Sequence, residues 1–426
     1  MDQAARHTRV IPTDSMIRAG QRSLREHNLR LVFSQICSSE AISRADLAET
    51  TGLTKATVST LVGDLIAASL IVELPATTPV KAGRPAIPLT LARGTVASIG
   101  LEINVDYLGV RALDLTGDIL AESFVRANLH NSDPVSAFAT LIDEVMEVIT
   151  DLSKRLIRIL GACLALPGIA DHPRGPLRLA PNLGWHDLDI HSTMASVIDS
   201  LDVDPSIDAS TFACVRQILV DDLLVDNEAS LAAQAEIATQ THPSFIYLSG
   251  DVGIGSAIVV DGRVFTGVHG WAGEIGHLTV DPHGPPCACT ARGCLEVYAG
   301  TRSIMTNAGL DPDGQIDTLI KAHQAGDPRA IEALDHAGFA LGVALSTAMN
   351  IIDVSHVILG GSFVPLAEIL TPRISTEINS RVLASRWLAS ELEVRPSRSG
   401  RYGAATGGAL AVLSSAVANP QSQLWA

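Results

Sequence analysis

The chain has 426 residues, of which 47% are hydrophobic and 18% charged, so it holds enough apolar material for sizeable cores and is not disordered as a whole. At roughly 100–200 residues per domain, this length predicts two to four domains. No apolar run approaches the ~18 residues that a membrane span needs, and residues 1–22 lack the apolar core of a secretory signal. We therefore expect a soluble, cytoplasmic protein with no membrane partner.

The formal net charge of −16 is distributed unevenly. Residues 1–90 carry ten Lys or Arg and eight Asp or Glu, whereas the rest of the chain has a net charge of −18. An acidic body repels DNA, but a near-neutral to basic N-terminal region can still dock on phosphates.

The first predicted elements are helices. Residues 23–38 place their apolar residues along one helical face. Ser43, with Asp46 three residues later, is typical of a capping box at the start of a short second helix that ends at Gly52. Thr54 is expected to cap the third helix.

Two strands, 70–74 and 87–91, follow these helices around a stretch that contains Pro and Gly. The order helix, helix, turn, helix, hairpin predicts a winged helix-turn-helix over residues 23–93. Residues 1–22 are expected to be a flexible segment before it.

The pattern then changes to that of a mixed α/β body. Strands are predicted at 96–103, 107–115 and 119–125, and a similar unit returns at 245–249, 253–260 and 263–265 with Asp261-Gly262 as a hairpin turn. Helices are predicted at 133–157, 228–238 and 329–350.

Two copies of the strand unit, each followed by helices, predict a duplicated, two-lobed α/β body over residues 94–418. We place lobe 1 at about 94–224 with 402–418, lobe 2 at about 225–401, and a frayed tail at 419–426. The sequence does not predict the order of strands in the sheets.

A histidine and three crowded cysteines form the sharpest motif of the chain. They are His277, Cys287, Cys289 and Cys294. Thiolates at this spacing, with an imidazole ten residues upstream, can close a tetrahedron around Zn²⁺, and four protein ligands make such a site structural. The alternatives are a core loop with three small buried cysteines, or His283 in place of His277.

The other cysteines are Cys37, Cys163 and Cys214, which lie in apolar runs and are expected to be small core residues.

The residues around this motif resemble the signature of the ROK family (repressors, open reading frames and sugar kinases). The matching segments are Gly273-Glu274-Ile275-Gly276-His277, Cys287-Ala288-Cys289 and Gly293-Cys294-Leu295-Glu296. Thr290 departs from the pattern, because the family usually has glycine after its second cysteine. The resemblance covers about residues 94–415, and the helix-turn-helix is typical of the repressor branch. It implies an actin-like, ribonuclease H-like, two-lobed fold that binds a sugar in its cleft.

The resemblance also implies the sugar contacts. They fall on Asn227, Glu228, Glu274, His277 and Glu296, with Asn182 in a further loop that resembles a sugar-facing segment. The chemistry is suitable, because paired sugar hydroxyls need carboxylates and amides that accept and donate, and a zinc-fixed loop would preorganise them. Taken alone, Glu274 or Glu296 would be an ordinary solvated loop carboxylate.

The nucleotide side departs from the family's kinases. Their phosphate loop, of the type D-x-G-x-T, reads here Glu102-Ile103-Asn104-Val105-Asp106, so that bulkier residues and an added carboxylate oppose ATP. Glu228 stands at the position of the catalytic Asp. A second glycine loop, 250–255, adds Asp251, and Gly360-Gly361 resembles the adenosine-side turn or is an ordinary strand-to-helix turn.

The N-terminal region is expected to bind DNA, although a helix-turn-helix can also be a protein contact. The third helix presents short donors and one cation, which suit groove edges and phosphates. These residues are Thr54, Lys55, Thr57, Ser59 and Thr60. Arg84, in Gly83-Arg84-Pro85, resembles a wing arginine that enters a narrow minor groove.

The sequence therefore predicts a sugar-responsive transcriptional regulator, which binds operator DNA, holds one structural zinc per chain and forms a homodimer or homotetramer. It is not expected to be an enzyme. The alternatives are an ATP-dependent sugar kinase with a regulatory head and a sugar-binding scaffold without a DNA partner. The sugar, the operator and the sign of the response are not predicted.

Overall fold

The computed structural model describes residues 21–75, 87–171, 175–201, 208–240, 242–383, 392–400 and 402–421. The chain forms two compact units, one of residues 1–91 with 416–426 and one of residues 92–415. Within the described ranges, no helix is both long enough and apolar enough to cross a lipid bilayer.

The first unit is a winged helix-turn-helix. Its helices are α1 (Gln21–Cys37), α2 (Arg44–Thr51) and α3 (Lys55–Ala67), and its strands are β1 (Ile42–Ser43), β2 (Ile71–Glu73) and β3 (Pro88–Leu91). The strands form one antiparallel sheet in the order β1-β3-β2. The wing segment 76–86, which contains Arg84, and residues 1–20 of the expected flexible segment lie outside the described residues.

The helix boundaries follow from local capping. The Ser43 side chain accepts a hydrogen bond from the Asp46 N–H and the Asp46 carboxylate accepts one from the Ser43 N–H, which confirms the capping box. Gly52 ends α2 in the left-handed conformation with φ 71°, and Thr54 caps α3. The apolar faces of these helices are buried against each other, with Leu47 and Val58 fully buried.

The second unit contains two five-stranded sheets and a small one. The first sheet is built from β4 (Val96–Ile103), β5 (Tyr107–Leu113), β6 (Ile119–Arg126), β7 (Arg158–Leu166) and β11 (Leu224–Asn227). The second is built from β12 (Phe245–Gly250), β13 (Ile254–Val260), β14 (Arg263–Val264), β15 (His356–Gly361) and β16 (Glu393–Pro396). The small sheet consists of β8 (Ile169–Ala170), β9 (Leu177–Ala180) and β10 (Trp185–Leu188).

The two large sheets repeat one topology. Their orders are β6-β5-β4-β7-β11 and β14-β13-β12-β15-β16. In each, three antiparallel strands form a meander and two further strands join in parallel. This shared order supports the duplication that the strand patterns predicted, and Asp261 and Gly262 make the hairpin turn with φ 51° and 70°.

Helices cover the sheets of this unit. They are α4 (Pro134–Lys154), α5 (Ile190–Ser200), α6 (Ala209–Arg216), α7 (Glu228–Ile237), α8 (Glu296–Ala299), α9 (Thr301–Asn307), α10 (Ile316–Gln324), α11 (Pro328–Ile352), α12 (Ala367–Arg381) and α13 (Gly403–Ala418). A π-helical turn, Gln217–Asp221, extends α6. A 3₁₀ turn, Ile275–His277, follows β14.

Two predicted elements end earlier than expected, for local reasons. Strand β5 stops at Leu113 because the Asp114 carboxylate accepts hydrogen bonds from backbone N–H groups of the following turn, including that of Thr116. Helix α4 stops at Lys154, and Leu156 then adopts the left-handed conformation with φ 57°.

Tight packing joins the two large sheets. A buried cluster contains residues from both, including Ala165 of β7 and Tyr247 of β12. Gly100 of β4 packs directly against α13. A Cβ at this position would overlap the Ala405 carbonyl, so only glycine fits. The ends of β4 and β12 therefore face one shared space.

Candidate functional site

The His/Cys motif assembles into one cluster. The ligand atoms of His277, Cys287, Cys289 and Cys294 all lie within 4.8 Å of one another. The Sγ atoms of Cys289 and Cys294 are 3.6 Å apart, and His277 Nδ1 lies 3.9 Å from Cys287 Sγ. Edges of this length are those of a tetrahedron around a metal ion with metal–sulfur bonds of about 2.3 Å. Three sulfurs and one imidazole nitrogen therefore fit such an ion.

The backbone of the loop holds these ligands in place. Thr279 pairs with Cys294 and Pro286 with Arg292 in isolated bridges, and the Cys287 N–H donates to the Ala291 carbonyl at 2.9 Å. Thr290 adopts φ 74°, a left-handed conformation that glycine takes without steric cost. The family's usual glycine therefore coincides with a backbone requirement that Thr290 meets under strain.

The thiols differ in their environment. Burial raises the pKa of Cys294 to about 12 and also raises the pKa of Cys287, whereas the Ala291 N–H lowers the pKa of Cys289. A bound cation would favour the thiolate form of all three. The remaining cysteines are apart from the cluster: burial raises the pKa of Cys37 to about 12 and also raises those of Cys163 and Cys214.

The Glu296 carboxylate lies between the His/Cys cluster and β13. It begins α8, its Oε2 accepts the Ile254 N–H at 3.2 Å, and its Oε1 lies 4.0 Å from Cys287 Sγ. A Cβ on Gly253 would overlap Glu296 Oε2 and would lie 3.3 Å from Asn182 Nδ2. Glycine at this position therefore lets the Asn182 amide and the Glu296 carboxylate approach the same point.

Glu274 and Asn227 line a small cavity of about 20 Å³ next to this group. Asn227 caps α7, because its Oδ1 accepts the N–H groups of Ala229 and Ser230, and its Nδ2 donates to the Gly168 carbonyl at 2.9 Å. Desolvation raises the pKa of Glu274, and the Glu296 carboxylate also raises it while His277 lowers it.

The position of Glu274 depends on a backbone clamp. Ser256 Oγ donates to the Gly273 carbonyl and accepts the Ile275 N–H at 3.1 Å. Gly273 has φ 101°, and a Cβ there would meet the Ser256 carbonyl at 2.9 Å. This glycine therefore lets the loop lie directly on β13.

Glu228, the residue directly after Asn227, lines a large cavity of about 810 Å³ that residues of both large sheets enclose. The charged residues that line it are Glu102, Asp106, Arg126, Glu228, Asp251, Arg302, Asp313 and Asp317, so six carboxyl groups face two guanidinium groups. This space is called the acidic cavity.

Two carboxyl groups of the acidic cavity, those of Glu228 and Glu102, accept hydrogen bonds within the protein. Asn104 Nδ2 donates to Glu228 Oε2 at 3.2 Å. Glu102 accepts the Tyr107 hydroxyl and the Ala405 N–H, the latter at 3.0 Å. Burial, more than any single neighbour, raises the pKa of Glu102 to about 7, and burial together with Asp251 and Glu102 raises that of Glu228 far above its usual range.

The structure thus brings five of the six expected sugar residues into one region. Asn182, Glu296, His277, Glu274 and Asn227 are linked by shared neighbours, whereas Glu228 faces the acidic cavity. Sequence reasoning missed Trp271, which lines the small cavity. A tryptophan in a glycine-rich loop of a chain with 4% aromatic residues was the available indication.

The expected DNA-binding residues lie at the start of α3. Thr54, Lys55, Ser59 and Thr60 are exposed and Thr57 is half-buried. The hydroxyl groups of Thr54 and Thr57 are 2.9 Å apart, and that of Thr60 donates to the Ala56 carbonyl.

Comparison with known proteins finds a family model that matches part of the chain. The model of the ROK family matches residues 215–415. The xylose repressor of Bacillus subtilis (strain 168) is 28% identical over 393 residues, which cover 91% of this chain and 95% of the repressor.

Two solved structures have a fold similar to that of this chain. A ROK family transcriptional regulator, homologous to the E. coli MLC protein, has a TM-score of 0.75 at 24% identity and covers 94% of this chain and 99% of its own. The ROK hexokinase of Thermus thermophilus has a TM-score of 0.56 at 25% identity and covers 74% of this chain and 97% of its own. The chain therefore contains a ROK family domain with the two-lobed fold of that family, preceded in sequence by a winged helix-turn-helix.

Proposed function

We propose that the protein is a sugar-responsive, DNA-binding transcriptional repressor of genes of carbohydrate metabolism. The observation that carries this proposal is the share of the chain that aligns with each relative. The xylose repressor aligns with 91% of the chain, and so includes most of the N-terminal unit, whereas the hexokinase covers only 74%. The combination of a helix-turn-helix with a sugar-binding body is thus shared with a repressor over nearly its full length.

One structural zinc ion per chain is part of the proposal, with His277, Cys287, Cys289 and Cys294 as its ligands. The donor set and the 3.6 Å separation of Cys289 and Cys294 support zinc. The His283 alternative is weaker, because the group of atoms within 4.8 Å of one another contains His277 instead. The ion would fix the loop that carries Glu296.

The sugar is proposed to lie against Asn182, Asn227, Glu274, His277 and Glu296. Carboxylates would accept from its hydroxyl groups, and the amides would both donate and accept. His277 would use Nδ1 for the metal, which leaves its other ring nitrogen for the sugar. Glu228 would contact the sugar from the side of the acidic cavity.

An ATP-dependent sugar kinase is the second candidate, favoured by the likeness to the hexokinase and by the size of the acidic cavity. Two observations weigh against it. The residue at the position of the catalytic base, Glu228, is engaged by Asn104, and Glu102, Asp106 and Asp251 would repel the phosphates of a nucleotide. We therefore propose that the protein is not an enzyme.

The proposed DNA contacts are Thr54, Lys55, Thr57, Ser59, Thr60 and Arg84. A homodimer or homotetramer in the cytoplasm would place two N-terminal units on half-sites about one helical turn apart. Sugar binding between the lobes would change the spacing of these units and so the affinity for the operator.

Two measurements on the full-length, zinc-bound protein test the function. A mobility-shift titration with the DNA upstream of its own gene is expected to give a specific complex whose affinity changes when a neutral monosaccharide is added. A coupled ATP assay with the same sugars is expected to show no turnover. Turnover at about 1 per second or faster would establish the kinase instead, and sugar binding without any specific DNA complex would establish a scaffold.

A further inference from the structure

Trp271 stands in a loop of exposed apolar residues between β14 and the ROK motif. Phe265 is 54% exposed, Val268 94% and Trp271 46%. Gly267 and Gly270 turn this loop with φ 72° and 82°. The ring centroids of His269 and Trp271 are 5.5 Å apart. An indole that is half exposed beside a polar recess offers a flat apolar surface to a ligand.

The recess beside Trp271 is the small cavity of about 20 Å³. Its polar side chains are those of Asp226, Asn227, Ser230, Ser256 and Glu274. A cavity of this volume accepts one group of the size of a water molecule, because a single water needs about 10–15 Å³. A sugar hydroxyl meets this limit, whereas a phosphoryl or acetamido group at the same ring position would not enter the cavity.

Charge restricts the ligand further. Two of the lining side chains, Asp226 and Glu274, are carboxylic acids, and none of the described residues that line the cavity is Lys, Arg or His. A phosphate monoester carries about −1.5 to −2 charges near pH 7 and binds where Arg, Lys or clustered N–H groups face it. Here it would face carboxylates.

We propose that Trp271 stacks on the apolar face of a neutral, unphosphorylated pyranose, and that the adjoining cavity admits one of its hydroxyl groups. This inference rests on the proposed function and specifies the effector of that same site. Trp271 would position the ring while Asp226, Asn227 and Glu274 select the hydroxyl. The protein would then respond to the free sugar and would discriminate against a phosphoryl or acetamido substituent on the hydroxyl that enters the cavity.

Calorimetric titration of the full-length, zinc-bound protein tests this with four probes: D-xylose, D-glucose, D-glucose 6-phosphate and N-acetyl-D-glucosamine. We expect D-xylose or D-glucose to bind, and a derivative to bind at least about tenfold more weakly where its phosphoryl or acetamido group replaces the hydroxyl in the cavity. Trp271→Ala should weaken binding of the preferred sugar by about tenfold, and Trp271→Phe should restore most of it because it keeps an aromatic face.

Phe265→Ala is the matched control, because Phe265 is exposed in the same loop and does not line the cavity. It should bind the sugar like the parent. Both Trp271 variants should retain the zinc content, the unfolding temperature and the operator affinity measured without sugar. These readouts separate lost stacking from a damaged fold.

One result overturns the inference alone and leaves sugar sensing intact: parental affinity for the preferred sugar in Trp271→Ala. If neither neutral sugar binds and none of the four probes alters the DNA complex, the proposed function fails and the inference fails with it.

Discussion

The two sides of the body use carboxyl groups in opposite ways. Beside the His/Cys cluster, Glu274 is exposed, and Glu296 is held by one backbone N–H. In the acidic cavity, Glu102 is buried and bonded to Tyr107 and Ala405, and Glu228 is bonded to Asn104. Glu274 therefore keeps an exposed carboxylate, whereas the buried Glu102 accepts two hydrogen bonds from the protein.

This difference bears on the choice between the two candidate functions, a sugar-responsive repressor and a sugar kinase. A nucleotide site needs N–H groups and cations around the phosphates, but the acidic cavity keeps mainly its volume. The side of the His/Cys cluster keeps a rigid loop, a backbone clamp at Ser256 and a glycine that admits Glu296 and Asn182. The predictions below test whether the two sides are independent.

The largest expected effect follows removal of a metal ligand. Cys289→Ser should lower the zinc content from about one per chain to near zero and destabilise the loop of Glu296, because three ligands hold zinc far more weakly than four. Elemental analysis and thermal unfolding measure both. Cys214→Ser, outside the cluster, is the matched control and should retain the metal. A full complement of zinc in Cys289→Ser would contradict the assignment.

The second effect concerns the acidic cavity. Because the pKa of Glu102 rises from 4.5 to about 7 on folding, the folded state binds this proton more tightly than the unfolded state. The contribution of Glu102 to the free energy of unfolding therefore decreases as pH rises from about 4.5 to about 7, and the loss is complete above pH 7. The full loss is on the order of 3 kcal/mol.

Glu102→Gln should remove that dependence while its amide still pairs with Tyr107 and Ala405. We expect the variant to exceed the parent in unfolding free energy at pH 8 and to match it near pH 4.5. Urea titrations at the two pH values measure this, with the exposed Glu332→Gln as control. An identical pH slope in parent and Glu102→Gln would show that Glu102 does not titrate in this range.

The third effect tests the side of the His/Cys cluster. Glu274→Ala should weaken sugar binding by roughly ten- to a hundredfold, since a hydrogen bond to a charged group contributes about 1.5–3 kcal/mol. The zinc content and the basal operator affinity should stay at parental values. Glu332→Ala is the matched control, as an exposed glutamate far from the site in sequence. A parental sugar response in Glu274→Ala would place the effector elsewhere.

Local patterns predicted much of this architecture. The Ser43 capping box, the Thr54 cap and the Asp261-Gly262 hairpin depend on neighbouring residues and were correct. The His/Cys cluster was predictable because its four ligands lie within eighteen residues. The strand order was not, because β7 and β15 join their sheets through long crossovers that no local pattern encodes.

The site was predicted less completely than the fold. Tertiary contacts decide that Asn104 reaches Glu228, 124 residues away, and that Glu228 faces the acidic cavity. The proposed role of Trp271 depends on a cavity that this loop residue forms with Asp226 and Asn227 of β11. Such convergence of distant segments cannot be read from spacing along the chain.

The smallest expected effect separates the N-terminal unit from both sides of the body. Lys55 is exposed at the first turn of α3, and the proposed function has its ammonium group contact a DNA phosphate. Loss of one such contact should reduce the slope of log affinity against log salt by about 0.9 and should weaken binding to all sequences evenly. We therefore expect Lys55→Ala to bind the operator a few-fold more weakly, with an unchanged ratio between affinities with and without sugar.

Lys321→Ala is the matched control, because Lys321 is an exposed lysine on α10. Fluorescence-anisotropy titrations over a salt series measure both quantities. An unchanged salt slope in Lys55→Ala would remove this residue from the DNA contact, and a changed sugar ratio would mean that the N-terminal unit takes part in sensing.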